Sequence, residues 1–204
     1  MFKKLATSVA VFLAATSVLS AQGIPASPEG KAQVQVGYTA GADAVKTGKW
    51  IEITYGRPIL RGRTNIFGSG ADYGTKVVTD GAKIWRAGAN VTTRLRTETA
   101  LTIGGKPVPA GEYSVFIDVK DGAWTFVLST WAAQKKYDPN NKAELWGSFG
   151  YTPDKDVVRV PMKLSKNSMT VEQLTWTFVN VTAAGGELVI MWDKEVAAVP
   201  FKVG

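Results

Sequence analysis

The sequence predicts an all-β protein, an antiparallel β-sandwich or jelly-roll-like fold of about nine strands with at most one short helix. Three observations carry this: apolar residues alternate at a period of two, turn-forming residues separate the alternating runs, and helical periodicity is nearly absent. Lys49–Tyr55 is the clearest run, with Ile51, Ile53 and Tyr55 set against Trp50, Glu52 and Thr54. Similar runs occupy Gln33–Thr39, Val91–Thr97, Glu112–Val119, Trp124–Ser129, Val157–Leu164, Gln173–Asn180, Glu187–Trp192 and Val196–Val203.

Gly104-Gly105-Lys106-Pro107 and Ala183-Ala184-Gly185-Gly186 supply bends between runs, and Asp121-Gly122 between two apolar stretches signals a hairpin. Pro109-Ala110-Gly111-Glu112-Tyr113 reads as a turn leading into a strand, with Tyr113, Val115 and Ile117 on the core face. Only Thr130–Tyr137 has a helical pattern, and it spans two turns at most. An outer-membrane barrel is the alternative architecture. It needs strands of roughly 9–11 residues, longer than most of these runs.

Met1-Phe2-Lys3-Lys4 is a basic start, followed by an apolar run from Leu5 to Leu19 and the small residues Ser20-Ala21. This pattern predicts a secretory signal peptide over residues 1–21 and a single β-sandwich domain over 22–204, with no membrane span after cleavage. The expected location is exported, periplasmic or secreted. An uncleaved anchor is the rival reading, and the serines and threonines in the run weigh against it.

The chain contains neither histidine nor cysteine. Disulfides, thiolate nucleophiles, Cys-ligated zinc and iron–sulfur clusters are therefore excluded, as is the Ser-His-Asp relay. No metal and no cofactor is expected. The formal charge of +7 falls to +5 without Lys3 and Lys4. That modest balance, with basic and acidic residues interspersed, does not suggest a nucleic-acid partner.

The alternation stops at Gly56. From Tyr55 to Gly68 the chain carries Arg57, Arg61 and Arg63, and a second irregular segment, Trp85-Arg86-Ala87-Gly88-Ala89-Asn90, leads to Arg94 and Arg96. Six of the seven arginines thus lie between positions 57 and 96. The planar guanidinium suits carboxylate, phosphate and sugar-hydroxyl recognition, so Tyr55, Arg57, Arg61, Arg63, Trp85, Arg86, Asn90, Arg94 and Arg96 are the candidate ligand-binding residues. The competing reading pairs these arginines with Glu52, Glu98 or Asp80 as scaffold.

Tyr55-Gly56-Arg57-Pro58, Arg61-Gly62-Arg63 with Phe67-Gly68, Trp85–Asn90 with Thr92-Thr93, and Pro109–Ser114 occur in that order. This combination resembles the bacterial exported family known as domain of unknown function 2911, over about Gln33 to Val203. The resemblance implies an exported β-rich domain and places the two irregular segments in one constellation. It carries over no catalytic residue.

Other chemistry is sparse. Trp50, Trp124, Trp176 and Trp192 sit in strand patterns and are expected in the core or half-buried, whereas Trp131 and Trp146 flank the polar stretch Gln134–Lys142 and could stack sugar rings or plug the sandwich end. The carboxylate pairs Asp118/Asp121, Asp154/Asp156 and Asp193/Glu195 lie in or beside turns. Asp138–Lys142 offers oxygen ligands but lacks the EF-hand glycine and terminal glutamate. The expected function is non-catalytic binding of a small anionic or carbohydrate ligand, or of an envelope partner. A carboxylate-dependent glycan hydrolase and a self-associating structural envelope protein are the alternatives, and the sequence leaves homo-oligomerisation open.

Overall fold

The computed structural model describes residues 26–41, 43–79 and 81–204. The expected leader over residues 1–21 and the arginine partner Asp80 lie outside the described residues. Six strands form the first sheet, in the spatial order β1 (Glu29–Val36), β2 (Lys49–Gly56), β3 (Thr93–Thr97), β6 (Gly111–Lys120), β7 (Ala123–Ser129) and β10 (Asp156–Pro161). The second sheet runs β11 (Lys163–Thr182), β12 (Gly185–Val203), β4 (Leu101–Ile103), β5 (Lys106–Val108). All pairings within both sheets are antiparallel.

The two sheets face each other as a sandwich because alternation gives each strand an apolar side. Ile51, Ile53, Leu95, Val115, Ile117 and Phe126 of the first sheet share one core with Leu174, Trp176, Ile190, Val199 and Phe201 of the second. Outward positions on the same strands carry polar side chains: Arg94 and Arg96 flank buried Leu95. Trp124, Trp176 and Trp192 are buried as expected, but Trp50 is not: it alternates with Ile51 and Ile53, points outward with Glu52 and is 43% exposed.

Turn chemistry works where the sequence placed it. Lys120 pairs with Ala123 across Asp121-Gly122, and Gly122 takes the positive φ of a two-residue hairpin. The bend after β4 is Gly104-Gly105 alone. Lys106 and Pro107 belong to β5, which lies at a sheet edge, where proline's missing N–H costs no ladder bond. Glu187–Trp192 and Val196–Val203 are halves of one strand, β12, whose partner β11 absorbs the irregularity in register shifts.

Thr130–Tyr137 is not helical. Ala132–Ala133 (β8) instead pairs in parallel with Glu144–Leu145 (β9), and the Gln134 N–H donates to Leu145 O. Trp131 and Gln134 find partners far along the chain, and these outcompete a local i to i−4 ladder. The single described α-helix is Ala44–Thr47, α1.

A further layer covers the sandwich. Phe116 on β6 and Val127 on β7 point away from the main core and are wholly buried, under Ile84, Leu145, Tyr151 and the half-buried Trp131. The segment before β3 and the long connection from β7 to β10 together supply this cover. Trp85 bridges to Ile117 with two backbone hydrogen bonds, of 3.1 and 2.9 Å, continuing the sheet past the end of β3. The same alternation then sends Trp85 into the main core and Ile84 to the outer cluster.

The two irregular segments named in the sequence meet. Ala89 N–H donates to Gly56 O at 3.2 Å, and a Cβ at Gly56 would fall 1.9 Å from Ala89 O. Tyr55 OH lies on the Trp176 backbone, accepting from its N–H at 3.0 Å, while the Trp176 indole donates to Ala87 O at 2.9 Å. Only a residue without a side chain permits the approach at position 56. Gly56→Ala is accordingly expected to cost at least about 3 kcal/mol. Gly62→Ala, at positive φ with no neighbour within 4 Å, should cost only about 1 kcal/mol. Urea unfolding of the two variants measures the difference, and equal losses would refute the close-packing account.

Candidate functional site

The candidate ligand residues occupy four separate environments. Tyr55 and Trp85 are core residues, 2% and 1% exposed. Arg57 lies across Gly30, where a Cβ would meet its side chain, and its Nε donates to Leu174 O at 3.4 Å, tying the edge of the first sheet to β11. Arg63 donates to Leu60 O and Ile59 O at 3.0 and 2.7 Å, with its guanidinium 5.8 Å from the Trp192 ring centre. Arg61 and Arg63 line a shallow hollow with Ala26, Ser27 and Ile59. Arg94 and Arg96 project from the outer face of β3 beside Glu112 and Glu98, at 4.0 and 3.4 Å. Glu52 pairs with Lys31 rather than with an arginine.

Arg86 and Asn90 are placed differently. Alternation after Trp85 turns Arg86 to the outer layer, where it lines a hollow of about 410 Å³ together with Asn90, Trp146, Ser148, Phe149 and Tyr137. Asn90 also donates to Ser27 O at 3.4 Å, so the chain at Ser27 stands between this hollow and that of Arg61 and Arg63. The arginines therefore do not converge on one cavity. A second hollow of about 370 Å³ adjoins the first, sharing Tyr137, Trp146 and Phe149 and adding Asp138, Lys142 and Glu144.

The three shared aromatics form a ridge. Tyr137 and Phe149 are 56% and 60% exposed, and the Tyr137 and Trp146 ring centres lie 5.7 Å apart at a 56° tilt. Exposed aromatic rings held beside hydrogen-bonding side chains are what a ligand with an apolar face and polar edges requires. Trp131, the other tryptophan flanking the polar stretch, lines neither hollow; Lys155 Nζ sits 3.5 Å from its ring centre, and its indole donates to Thr152 O.

Buried polar groups hold this ridge in place. The Gln134 side chain is buried; its Nε2 reaches the carbonyls of Asp138, Asn141 and Glu144 at 2.9 to 3.2 Å, and its Oε1 accepts from Asp138 N–H. Thr92, fully buried, donates between Leu145 O and Gly147 O. Gly147 has φ +63°, and a Cβ there would sit 3.0 Å from Arg86 Cδ, so glycine lets the arginine pass beneath the ridge. Sequence reasoning passed over Gln134, Gly147, Tyr137 and Phe149. The single sequence signal for them was the polar stretch beside Trp146.

Most carboxylates of the pairs named from sequence are engaged by neighbouring groups. Asp118 pairs with Arg159 and Lys120, Asp154 accepts from Thr152, Asp193 accepts from Ile66 N–H, and Glu195 pairs with Lys166. None of them lines the aromatic hollows. Asp138 and Glu144 do line the second hollow, and both also brace its loop: Asp138 accepts from Asn140 N–H at 2.9 Å and Glu144 from Asn141 Nδ2 at 3.0 Å. Among the described residues there is no group of three or more acidic side chains placed to hold a metal ion.

A family model described as a protein of unknown function, DUF2911, matches residues 39–201. The chain belongs to the DUF2911 family. No curated protein and no solved structure matches it. The motifs that carried the resemblance in this DUF2911 chain mostly build the scaffold: Tyr55-Gly56 and Trp85–Ala89 lock together, and Tyr113 OH caps Pro109 O at 2.9 Å. Only Arg86 and Asn90 of those motifs reach the aromatic hollow.

The far end of the ridge loop is pinned by Tyr151, whose OH donates to Asp156 at 2.6 Å while Arg159 bridges Asp156 and Asp118. Burial, reinforced by the hydrogen bond to Asp156, raises the Tyr151 phenol above its ordinary value of 10.0. A raised folded value means a contribution that is complete below pH 10 and is lost as pH climbs through the folded value. The loss should approach about 1.4 kcal/mol per pH unit. Urea unfolding on either side of pH 10 should show this slope in the native chain and a shallower one in Tyr151→Phe. Identical slopes would assign the effect to another group.

Proposed function

We propose that this protein is an exported, non-catalytic binding module whose ligand is a carbohydrate seated against the ridge of Tyr137, Trp146 and Phe149. The observation that carries this reading is the convergence of those three rings, two of them exposed, with Arg86 and Asn90 on one hollow of about 410 Å³. That volume falls within the range of small-molecule sites. Sugar rings present apolar C–H faces that stack on aromatics, and their hydroxyls bond to guanidinium and amide groups at the edge. The basic n-region and apolar run over residues 1–21 support export, which would put the cleft where envelope or extracellular glycans are found.

A pure anion site is less well supported. An anion gains from a guanidinium but nothing from the two exposed rings of Tyr137 and Phe149 or the half-buried Trp146, and Asp138 and Glu144 stand on the far side of the ridge. A hydrolase reading would use Asp138 and Glu144, yet both carboxylates already accept hydrogen bonds that shape their own loop.

A thermal-shift screen of neutral and acidic glycans and of small anions tests the proposal. Saccharides should raise the melting temperature with occupancy, by about 2.7 kcal/mol of added stability at a hundredfold excess over Kd. Trp146→Ala should abolish the shift while leaving the ligand-free unfolding free energy within about 1 kcal/mol of the native chain's, since Trp146 is only half-buried. Saccharide that binds should be recovered intact. Stabilisation by anions alone, unaffected by Trp146→Ala, would refute the assignment, and release of shorter saccharides that is lost in Glu144→Gln would establish the hydrolase instead.

A further inference from the structure

Resting on the carbohydrate reading, we infer that the ligand is an extended glycan of at least two rings, with one ring in each hollow and the chain crossing the aromatic ridge. The two hollows, of about 410 and 370 Å³, are similar in size, and each alone reaches the lower range of ligand sites. Both are walled by the same Tyr137, Trp146 and Phe149. A single sugar would occupy one side of this wall and leave the other side open. Two linked rings use both.

The polar groups on the two sides are complementary in kind. The first hollow is rich in donors, from Arg86 and Asn90, with the Ser148 hydroxyl beside them. The second presents carboxylate acceptors, Asp138 and Glu144, with Lys142 at its rim. Sugar hydroxyls both donate and accept, so a chain of them satisfies either side. A sulfate accepts only, and the second hollow's carboxylates would repel any such anion. The wall itself is held by buried polar groups on both flanks, Gln134 under the second hollow and Thr92 behind Trp146, so little ordering cost falls on binding.

Each hollow can be filled separately without touching the ridge. Lys142 is exposed on the rim of the second hollow and Ala82 is half-buried in the first, so Lys142→Trp and Ala82→Trp block one side each. The measurement is isothermal titration of the native chain and both variants with glucose and N-acetylglucosamine oligomers of increasing length and with sulfate, preceded by an unfolding check on each variant. Affinity should rise at least about tenfold from one unit to two. Either block, Lys142→Trp or Ala82→Trp, should remove that gain, so that monomer and dimer bind each variant alike.

Equal affinity for monomer and dimer in the native chain would overturn the extended-glycan inference and leave a one-ring carbohydrate site standing. So would a length gain that survives Lys142→Trp or Ala82→Trp. Absence of binding by every oligomer would overturn both this inference and the carbohydrate reading, and binding of sulfate alone would do the same.

Discussion

Two backbone hydrogen bonds between Trp85 and Ile117 organise most of what distinguishes this sandwich. They occupy the lane beside β6 that β3 leaves open, so the chain there behaves as a one-residue strand. Period-two geometry then has three consequences at once. Trp85 enters the main core against Phe67, Trp124 and Trp192; Ile84 covers the outer side of the sheet; and Arg86 faces the outer layer. A slip of one residue would bury the guanidinium in an aromatic core and expose the indole. The core's demand for Trp85 therefore fixes where Arg86 stands.

The register is guarded from the other side by Gly56 and Gly88. Both lack the Cβ that would push the strap away from the end of β2, and the strap's Ala87 carbonyl is in turn held by the Trp176 indole and the Thr93 hydroxyl. Ala87 and Asn90 both sit at positive φ, a cost of about 1–2 kcal/mol each that persists only because these contacts over-determine the backbone. The outer layer works by the same economy. Its long connection has few strand bonds of its own, so the buried Gln134 amide and Thr92 hydroxyl satisfy the loop carbonyls that a sheet would otherwise have paired. The aromatic ridge is exposed yet fixed.

Arginines that crowd one stretch of sequence serve distinct purposes in space. Arg57 and Arg63 bond to backbone carbonyls at the junction of the sheets, where the chain leaves β2 and runs along β11 from Pro58 to Leu60. Arg94 and Arg96 lie on a solvated strand face beside carboxylates, Glu112 on the neighbouring strand and Glu98 two residues further along the chain, exposed pairs worth no more than about 1 kcal/mol each. Clustering along the chain follows in part from one irregular segment, in which Arg57, Arg61 and Arg63 satisfy carbonyls outside the ladders. It did not bring the charges to a common concavity.

Sequence alone determined the all-β sandwich, the hairpin at Asp121-Gly122 and the core faces of the Lys49–Tyr55 and Glu112–Val119 strands, and the family resemblance implied that the Tyr55–Gly68 and Trp85–Asn90 segments belong together. These follow from local periodicity, from turn residues with few allowed conformations, and from a motif combination matched across the chain. Apolar residues on both faces of β6 and β7, Phe116 beside Val115 and Ile117, and Val127 beside Phe126 and Leu128, were legible signs that another layer must cover that side. What would cover it was not legible, because Thr130–Tyr137 carries a weak helical pattern that only contacts with Leu145, Thr152 and Glu144 override. The site lies in that layer. Tyr137, Trp146 and Phe149 meet Arg86 and Asn90 across roughly fifty residues of intervening sequence, through a sheet register and a glycine at 147, and no spacing rule encodes such a meeting. Tertiary packing decided it, since alternation tells which way a side chain points and only the completed core tells what it faces.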